Sequence, residues 1–282
     1  MSGCVRKVWY TDKTRSKLDI KIKLLGTGTS SGVPRIGCHC SVCSSVDPRD
    51  RRYRSSALIE VEGKRILIDC GPDLREQMLQ INFSPFDAVL LTHEHYDHVG
   101  GADDLRPFCV FGPVDIYGER CCIRDIEQRI PYCFGENKYP SAPSLILHEI
   151  EPYKVLEIGT VKIYPFRVMH GQMPILGFRI GQFAYITDMK KLPPESLKYL
   201  EGLKCLVVNG LRHNSHPTHQ TIEEAVELIT DLKIPKARLI HLAHSAGLHA
   251  DSEKYLPPHI RFGYDGEEIN IQCDGDFISL QS

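Results

Sequence analysis

The chain lacks any apolar run near the roughly 20 residues that span a bilayer, so hydropathy excludes a helical membrane span. Its first fifteen residues are polar and basic with no apolar stretch, which predicts no secretory leader and a cytoplasmic address. Charge of one sign is also missing. The formal net charge is −2 and the pI about 6.7, which disfavours a general nucleic-acid or membrane binder. No repeat of 20–50 residues and no low-complexity tract is present. The glycine-rich stretch at 26–32 is not closed by Gly-Lys-Ser/Thr and does not fit Gly-x-Gly-x-x-Gly leading into a helix. It reads as loop geometry near a site, with no nucleotide cradle. The eleven cysteines are odd in number, in a chain that is neither small nor secretory in appearance. They predict thiols or metal ligands, not a disulfide frame.

What is present is an alternation of short apolar strands and a few helices. Strands are expected at 20–25, 57–61, 65–69, 88–91, 113–117, 161–166, 177–180, 184–186, 203–208 and 238–242, with helices at 73–79 and 222–232. Ligand-type residues sit where these strands end, the usual placement of sites in α/β enzymes. Residues 1–18 read as an extension and 19–282 as one domain. Residues 119–145 show no clear role.

The densest chemistry is Thr92-His93-Glu94-His95-Tyr96-Asp97-His98. Imidazole and carboxylate are ligands for zinc, manganese and iron. Random placement would yield His-x-His-x-Asp-His in roughly 2 of 1,000 chains of this composition, so the motif is specific. Downstream, His170, Asp188 and His241 each end a strand, and upstream Asp69 does the same.

This ordered set resembles the metallo-β-lactamase superfamily over about residues 20–260. The resemblance implies an αββα four-layer sandwich with two facing mixed β-sheets. It further implies that His93, His95 and His170 hold one divalent ion, that Asp97, His98 and His241 hold a second, and that Asp188 bridges them. Asp69 would orient a ligand or the hydroxide held between the ions. The two ions would be zinc or manganese. The superfamily's di-iron oxidoreductases carry Glu at the place of His95, which disfavours a redox role.

Cys38, Cys40 and Cys43 follow Cys-x-Cys-x-x-Cys spacing, which lets three thiolates converge on one tetrahedral zinc. His244 is the expected fourth ligand of this structural zinc, and His39 the weaker candidate. The remaining cysteines, including Cys70, Cys121, Cys122 and Cys133, show no ligand spacing and read as core or surface thiols. The knuckle narrows the resemblance to the phosphoribosyl cyclic phosphate phosphodiesterases of phosphonate breakdown. There a Thr-His position supplies a catalytic histidine, which maps to His219, with His216 as alternate.

The implied activity is hydrolysis of a small-molecule phosphate ester, a ribosyl cyclic phosphate in that branch, with Asp97 and Asp69 in the catalytic centre. His219 would protonate the leaving oxygen if it titrates near neutrality. Arg106 could clamp phosphate, but pairing with Asp103 is favoured. The run Arg49, Arg51, Arg52 and Arg54 reads as a solvated loop with one paired member. An RNase Z-like nuclease and an accessory protein of the cofactor-biosynthesis branch remain open as alternatives. A nucleic-acid partner is disfavoured without being excluded, and a homodimer is the base-rate expectation.

Overall fold

Ile20, Ile22 and Leu24 alternate with polar neighbours, the period-two pattern of a strand with one face in a core. In the computed structural model, which describes residues 17–134 and 141–274, they form β1 (Leu18–Gly26). The further strands are β2 (Ser56–Val61), β3 (Lys64–Ile68), β4 (Ala88–Leu90), β5 (Val114–Gly118), β6 (Leu145–Glu149), β7 (Leu156–Ile158) and β8 (Val161–His170). They continue with β9 (Met173–Ile180), β10 (Phe183–Tyr185), β11 (Cys205–Asn209), β12 (Ala237–Ile240), β13 (Ile260–Phe262) and β14 (Glu268–Cys273). The α-helices are α1 (Leu74–Met78), α2 (Tyr96–Val99), α3 (Arg120–Arg129), α4 (Ile222–Asp231) and α5 (His249–Ser252).

The strands build two seven-stranded sheets, ordered β14-β1-β2-β3-β4-β5-β6 and β13-β12-β11-β10-β9-β8-β7. Both are mixed. Pairing is antiparallel from β14 to β3 and parallel from β3 to β6. In the second sheet it is antiparallel from β7 to β10 and parallel from β10 to β13. Alternate residues of each strand face opposite ways. Ile66, Ile68, Ala88 and Leu90 meet Leu176, Phe178, Tyr185 and Val207 in the core between the sheets. Leu67, Val89 and Leu91 face outward and pack with Leu74 of α1 and Cys122 and Ile126 of α3. On the other outer face, Leu206, Val208 and Leu239 pack with Ile222, Ala225 and Ile229 of α4. The layers are therefore helix, sheet, sheet, helix, the sandwich expected.

Helix α4 shows why its sequence starts where it does. The Thr221 hydroxyl accepts from the Glu224 amide while the Glu224 carboxylate accepts from the Thr221 amide, satisfying two orphan donors at the N-terminus. Most expected elements occur with ends shifted by a residue or two. β8 is longer than expected and contains His170 as its last residue. The extension reading of residues 1–18 lies outside the described residues except at its end, where Leu18 already belongs to β1. Strands β6, β7, β13 and β14 had no sequence expectation. β14 carries a readable alternation of buried Ile269, Ile271 and Cys273, while β7 and β13 are only three residues long. The segment 119–145 holds α3 in its described part.

One close approach sets the position of the histidine-rich turn. Gly71, just after β3, lies so near α2 that a Cβ there would fall 2.0 Å from the Asp97 carbonyl oxygen. Only glycine permits that contact, so Gly71 determines how near Asp97 and His98 come to the first sheet. Gly71→Ala should cost at least about 2 kcal/mol and lower the thermal midpoint by about 4–8 °C. An unchanged melting curve would show that the turn can move aside freely.

Candidate metal centre

Asp69 follows β3, the His93–His98 segment follows β4, Asp188 follows β10 and His241 follows β12. All four lie past the C-terminal ends of parallel-paired strands, the usual place for a ligand in α/β sheets. Three of these residues are left-handed although none is glycine: Asp69 at φ 60°, Asp188 at φ 55° and His241 at φ 55°. Such conformations cost about 1–3 kcal/mol each and cluster at functional sites. The backbone here is bent to aim side chains.

The aim converges on His98. Its Nδ1 lies 2.7 Å from Asp69, which also accepts from the Thr92 amide at 2.8 Å and the Thr92 hydroxyl at 2.9 Å. Asp69 thus fixes the imidazole and is itself fully buried. On the other side, His98 Nε2 lies 3.2 Å from Asp97 and 3.2 Å from Asp188 yet makes a hydrogen bond with neither. His241 Nδ1 is also 3.2 Å from Asp188. An orphaned buried nitrogen facing two carboxylates is the donor set of a divalent cation. These residues fit such an ion, and Asp97, His98 and His241 together could hold one.

The electrostatics agree. Burial opposes a proton on His98, but Asp188, Asp69 and Asp97 prevail and hold its pKa well above the ordinary value. Burial also opposes charge on Asp97 and Asp188. His98 and His241 outweigh it and keep both carboxyls well below their usual range. Burial lowers His93 and His241, toward the neutral imidazole that ligates. The carboxylates that raise His98 are the negative charge that a cation would balance there.

His93 Nε2 meets His95 Nδ1 at 3.0 Å, and the rings of both lie near His170, at centroid distances of 5.8 and 5.2 Å. His95 is exposed, so the centre opens to solvent on that side. His170 donates from Nδ1 to the Thr218 carbonyl at 2.9 Å, which turns Nε2 toward the cluster. The structure thus brings His93, His95, Asp97, His98, His170, Asp188 and His241 to one place.

His219 joins them, 3.6 Å from Asp188 and stacked on His241 at 5.0 Å. It is buried and its Nδ1 has no partner. Burial and the neighbouring His241 push its pKa down to about 3, below the near-neutral value that a proton donor requires. His219 therefore rests neutral. His216 lies beside it, its ring tilted at a centroid distance of 4.9 Å, and is only half-buried.

Cys38, Cys40, Cys43 and His244 gather as four potential ligands of a second kind. His244 Nδ1 lies 3.4 Å from both Cys38 and Cys40 sulfurs. A backbone hydrogen bond from Cys43 and the His244 contact lower the Cys40 thiol to about 6, toward the thiolate that binds zinc. His39 is exposed and outside the group. His241 and His244 share one turn, which the glycine-rich loop also grips. The Thr29 amide donates to the Leu242 carbonyl at 3.2 Å and the Leu242 amide to the Thr27 carbonyl at 2.9 Å.

Other expectations sort clearly. Arg106 pairs with Asp103 at 2.7 Å and also donates to the Ser141 carbonyl, the structural reading. The solvated reading of the arginine run is corrected. Arg52 is 4% exposed and donates to Thr27 and the Gly263 carbonyl, Arg49 pairs with Asp47, and Arg54 pairs with Asp73. Of the four, only Arg51 is exposed. Sequence reasoning missed Thr92, Ser55 and Thr218, whose partners lie far along the chain or on the backbone. Ser55 reaches His241 Nδ1 at 3.3 Å with no sequence signal, whereas Thr92 at least adjoins the motif. No helix among the described residues is long and apolar enough to cross a membrane.

Residues 64–242 match the family model of the beta-lactamase superfamily domain. The chain is 48% identical over 254 residues to an octanoyltransferase of Porphyromonas gingivalis, covering 89% of this chain and 52% of that protein. It thus spans about half the length of that relative. It superposes on the crystal structure of a diphosphatase from the PhnP family with a TM-score of 0.85 and 35% identity, covering 92% of this chain and 99% of that one. The short form of human tRNase Z shares the fold, with a TM-score of 0.67 and 17% identity, covering 88% and 98% of the two chains. With residues 64–242, well over half of the chain, matched and the ligand-type side chains gathered at the strand ends, this chain belongs to the beta-lactamase superfamily.

Proposed function

We propose that this chain is a metal-dependent hydrolase of small phosphate diesters, in the branch of the PhnP-family diphosphatase. The observation that carries the reading is the convergence of Asp97, His98, Asp188 and His241 around one orphaned imidazole nitrogen, with a neutral histidine alongside. His93, His95 and His170 would hold one zinc or manganese ion. Asp97, His98 and His241 would hold the other, and Asp188 would be shared. When bound, such a pair supplies an activated water and withdraws charge from phosphate oxygens.

The chain's own residues do the rest. Asp69 holds His98 by its Nδ1, so Nε2 cannot turn away. Thr218 does the same for His170 through its carbonyl. Asp97 and Asp188 bring the negative charge that retains cations in a buried site. Exposed His95 marks the side from which an ester enters. Neutral His219 offers a ring N–H to a phosphate oxygen. The bound anion would raise its pKa, so that the ring takes up a proton from solvent and passes it to the leaving oxygen. Cys38, Cys40, Cys43 and His244 would hold a structural zinc that fixes the turn bearing His241.

The near-neutral charge of the chain argues against a tRNA-sized substrate. The octanoyltransferase name belongs to a protein about half of which has no counterpart here, so acyl transfer is left to that protein.

Two measurements test the reading. His219→Ala should slow hydrolysis of a diester with a poor leaving group about 100-fold or more. Hydrolysis of bis-p-nitrophenyl phosphate, whose leaving group needs no proton, should fall far less. Equal losses on both esters would remove His219 from proton transfer, and no diesterase activity with either zinc or manganese would overturn the function. Cys40→Ser should release the knuckle zinc and weaken one ion of the dinuclear centre about tenfold, read by metal analysis against chelator. Two tightly held ions in that variant would mean that the knuckle does not brace His241.

A further inference from the structure

The cysteines of α3 show no ligand spacing among themselves, yet the fold supplies what the spacing lacks. Glu94, between His93 and His95, reaches the first turn of α3. One carboxylate oxygen of Glu94 and the sulfurs of Cys121 and Cys122 all lie within 4.8 Å of one another. Cys122 Sγ is 3.9 Å from Glu94 Oε2. In a tetrahedral zinc site with ordinary bond lengths, a sulfur and an oxygen ligand stand roughly 3.6 Å apart. Small side-chain adjustments therefore suffice.

Burial divides the labour. Cys122 is 1% exposed and packs against the outer face of the first sheet, so its position is fixed. Cys121 is exposed, which gives an ion a route in and leaves its fourth position to solvent. The two thiols do not readily close on each other. Neighbouring Cα atoms are about 3.8 Å apart across a trans peptide, shorter than the roughly 4.4 Å at which disulfides begin. Within a helix the pair remains a dithiol, and two thiolates with one carboxylate select a soft or borderline divalent cation over magnesium or calcium.

We infer that Glu94, Cys121 and Cys122 form a further, open ion site for a thiophilic divalent cation such as zinc or cadmium, distinct from the dinuclear centre and the knuckle. An ion there ties Glu94 to α3 and so braces the segment that presents His93 and His95. The site does not depend on the hydrolase reading, because it is counted in ions and not in turnover.

The test uses the full chain, loaded with zinc, desalted and titrated with cadmium under native mass spectrometry. The wild-type protein should take up one cadmium ion more than Cys121→Ser, whose substitution at an exposed position leaves the core intact. Affinity for that ion should fall about tenfold or more in the variant. Equal uptake and affinity would overturn the site. A second measurement needs no substitution: bound cadmium should protect Cys121 from alkylation by iodoacetamide, as read by peptide mapping. Unchanged alkylation would overturn the proposal equally.

Discussion

Three carboxylates sharing one buried imidazole is the constraint on which the rest of the structure turns. Asp69, Asp97 and Asp188 approach His98 within 2.7 to 3.2 Å, in a place where water cannot screen them. Uncompensated, such charges are among the most costly things a fold can bury. These carboxylates hold the His98 pKa well above its ordinary value, and a cation in the same place would balance their charge. The surroundings follow from that requirement. Asp69 is held by two hydrogen bonds from Thr92, Asp188 accepts from the Thr187 hydroxyl at 2.6 Å, and His241 has Ser55 behind it.

The same requirement explains the backbone. Side chains that must meet head-on come from two different sheets, so each strand has to turn sharply at its end. Asp69, Asp188 and His241 do this by taking left-handed conformations that glycine would adopt more easily. Glycine could not serve there, because it carries no ligand. Where no ligand is needed the chain does use glycine, and Gly71 lets the Asp97 backbone settle against the first sheet. Strain and close approach are two sides of one arrangement.

The local part of the centre was legible. His93, His95, Asp97 and His98 lie within six residues, and no folding knowledge is needed to see a cation site. Asp69, Asp188 and His241 were legible only as strand ends, and their joint meaning came from the order of the set. The sandwich was legible because most strands show period-two burial or short apolar runs. Its edges were less so. β7 and β13 are too short for periodicity to speak, whereas β14 does carry an alternation, of buried Ile269, Ile271 and Cys273. Arg52 looks like one charge in a basic loop, and nothing local says that it packs under Phe262 and donates to Gly263. Glu94 and Cys122 are 28 residues apart and meet because β4 and β5 are neighbours. Contacts made by sheet topology leave no spacing in the chain.

The centre also bears on how the two sheets are joined. His93, His95, Asp97 and His98 belong to the first sheet, while His170, Asp188 and His241 belong to the second. Between the sheets lies apolar core, which resists separation but has little preference for register. The polar cluster at the strand ends adds direction, since each carboxylate has a particular nitrogen opposite it. Ions bound there would join the sheets by bonds that exist only in the folded state, and their binding energy would count as folding energy. The loops after β1 and β12 show the same logic without any ion, with Thr27 and Thr29 hydrogen-bonded to Leu242 across the seam. The site and the junction of the sheets are thus one structure, and changes that loosen the His241 turn act on both.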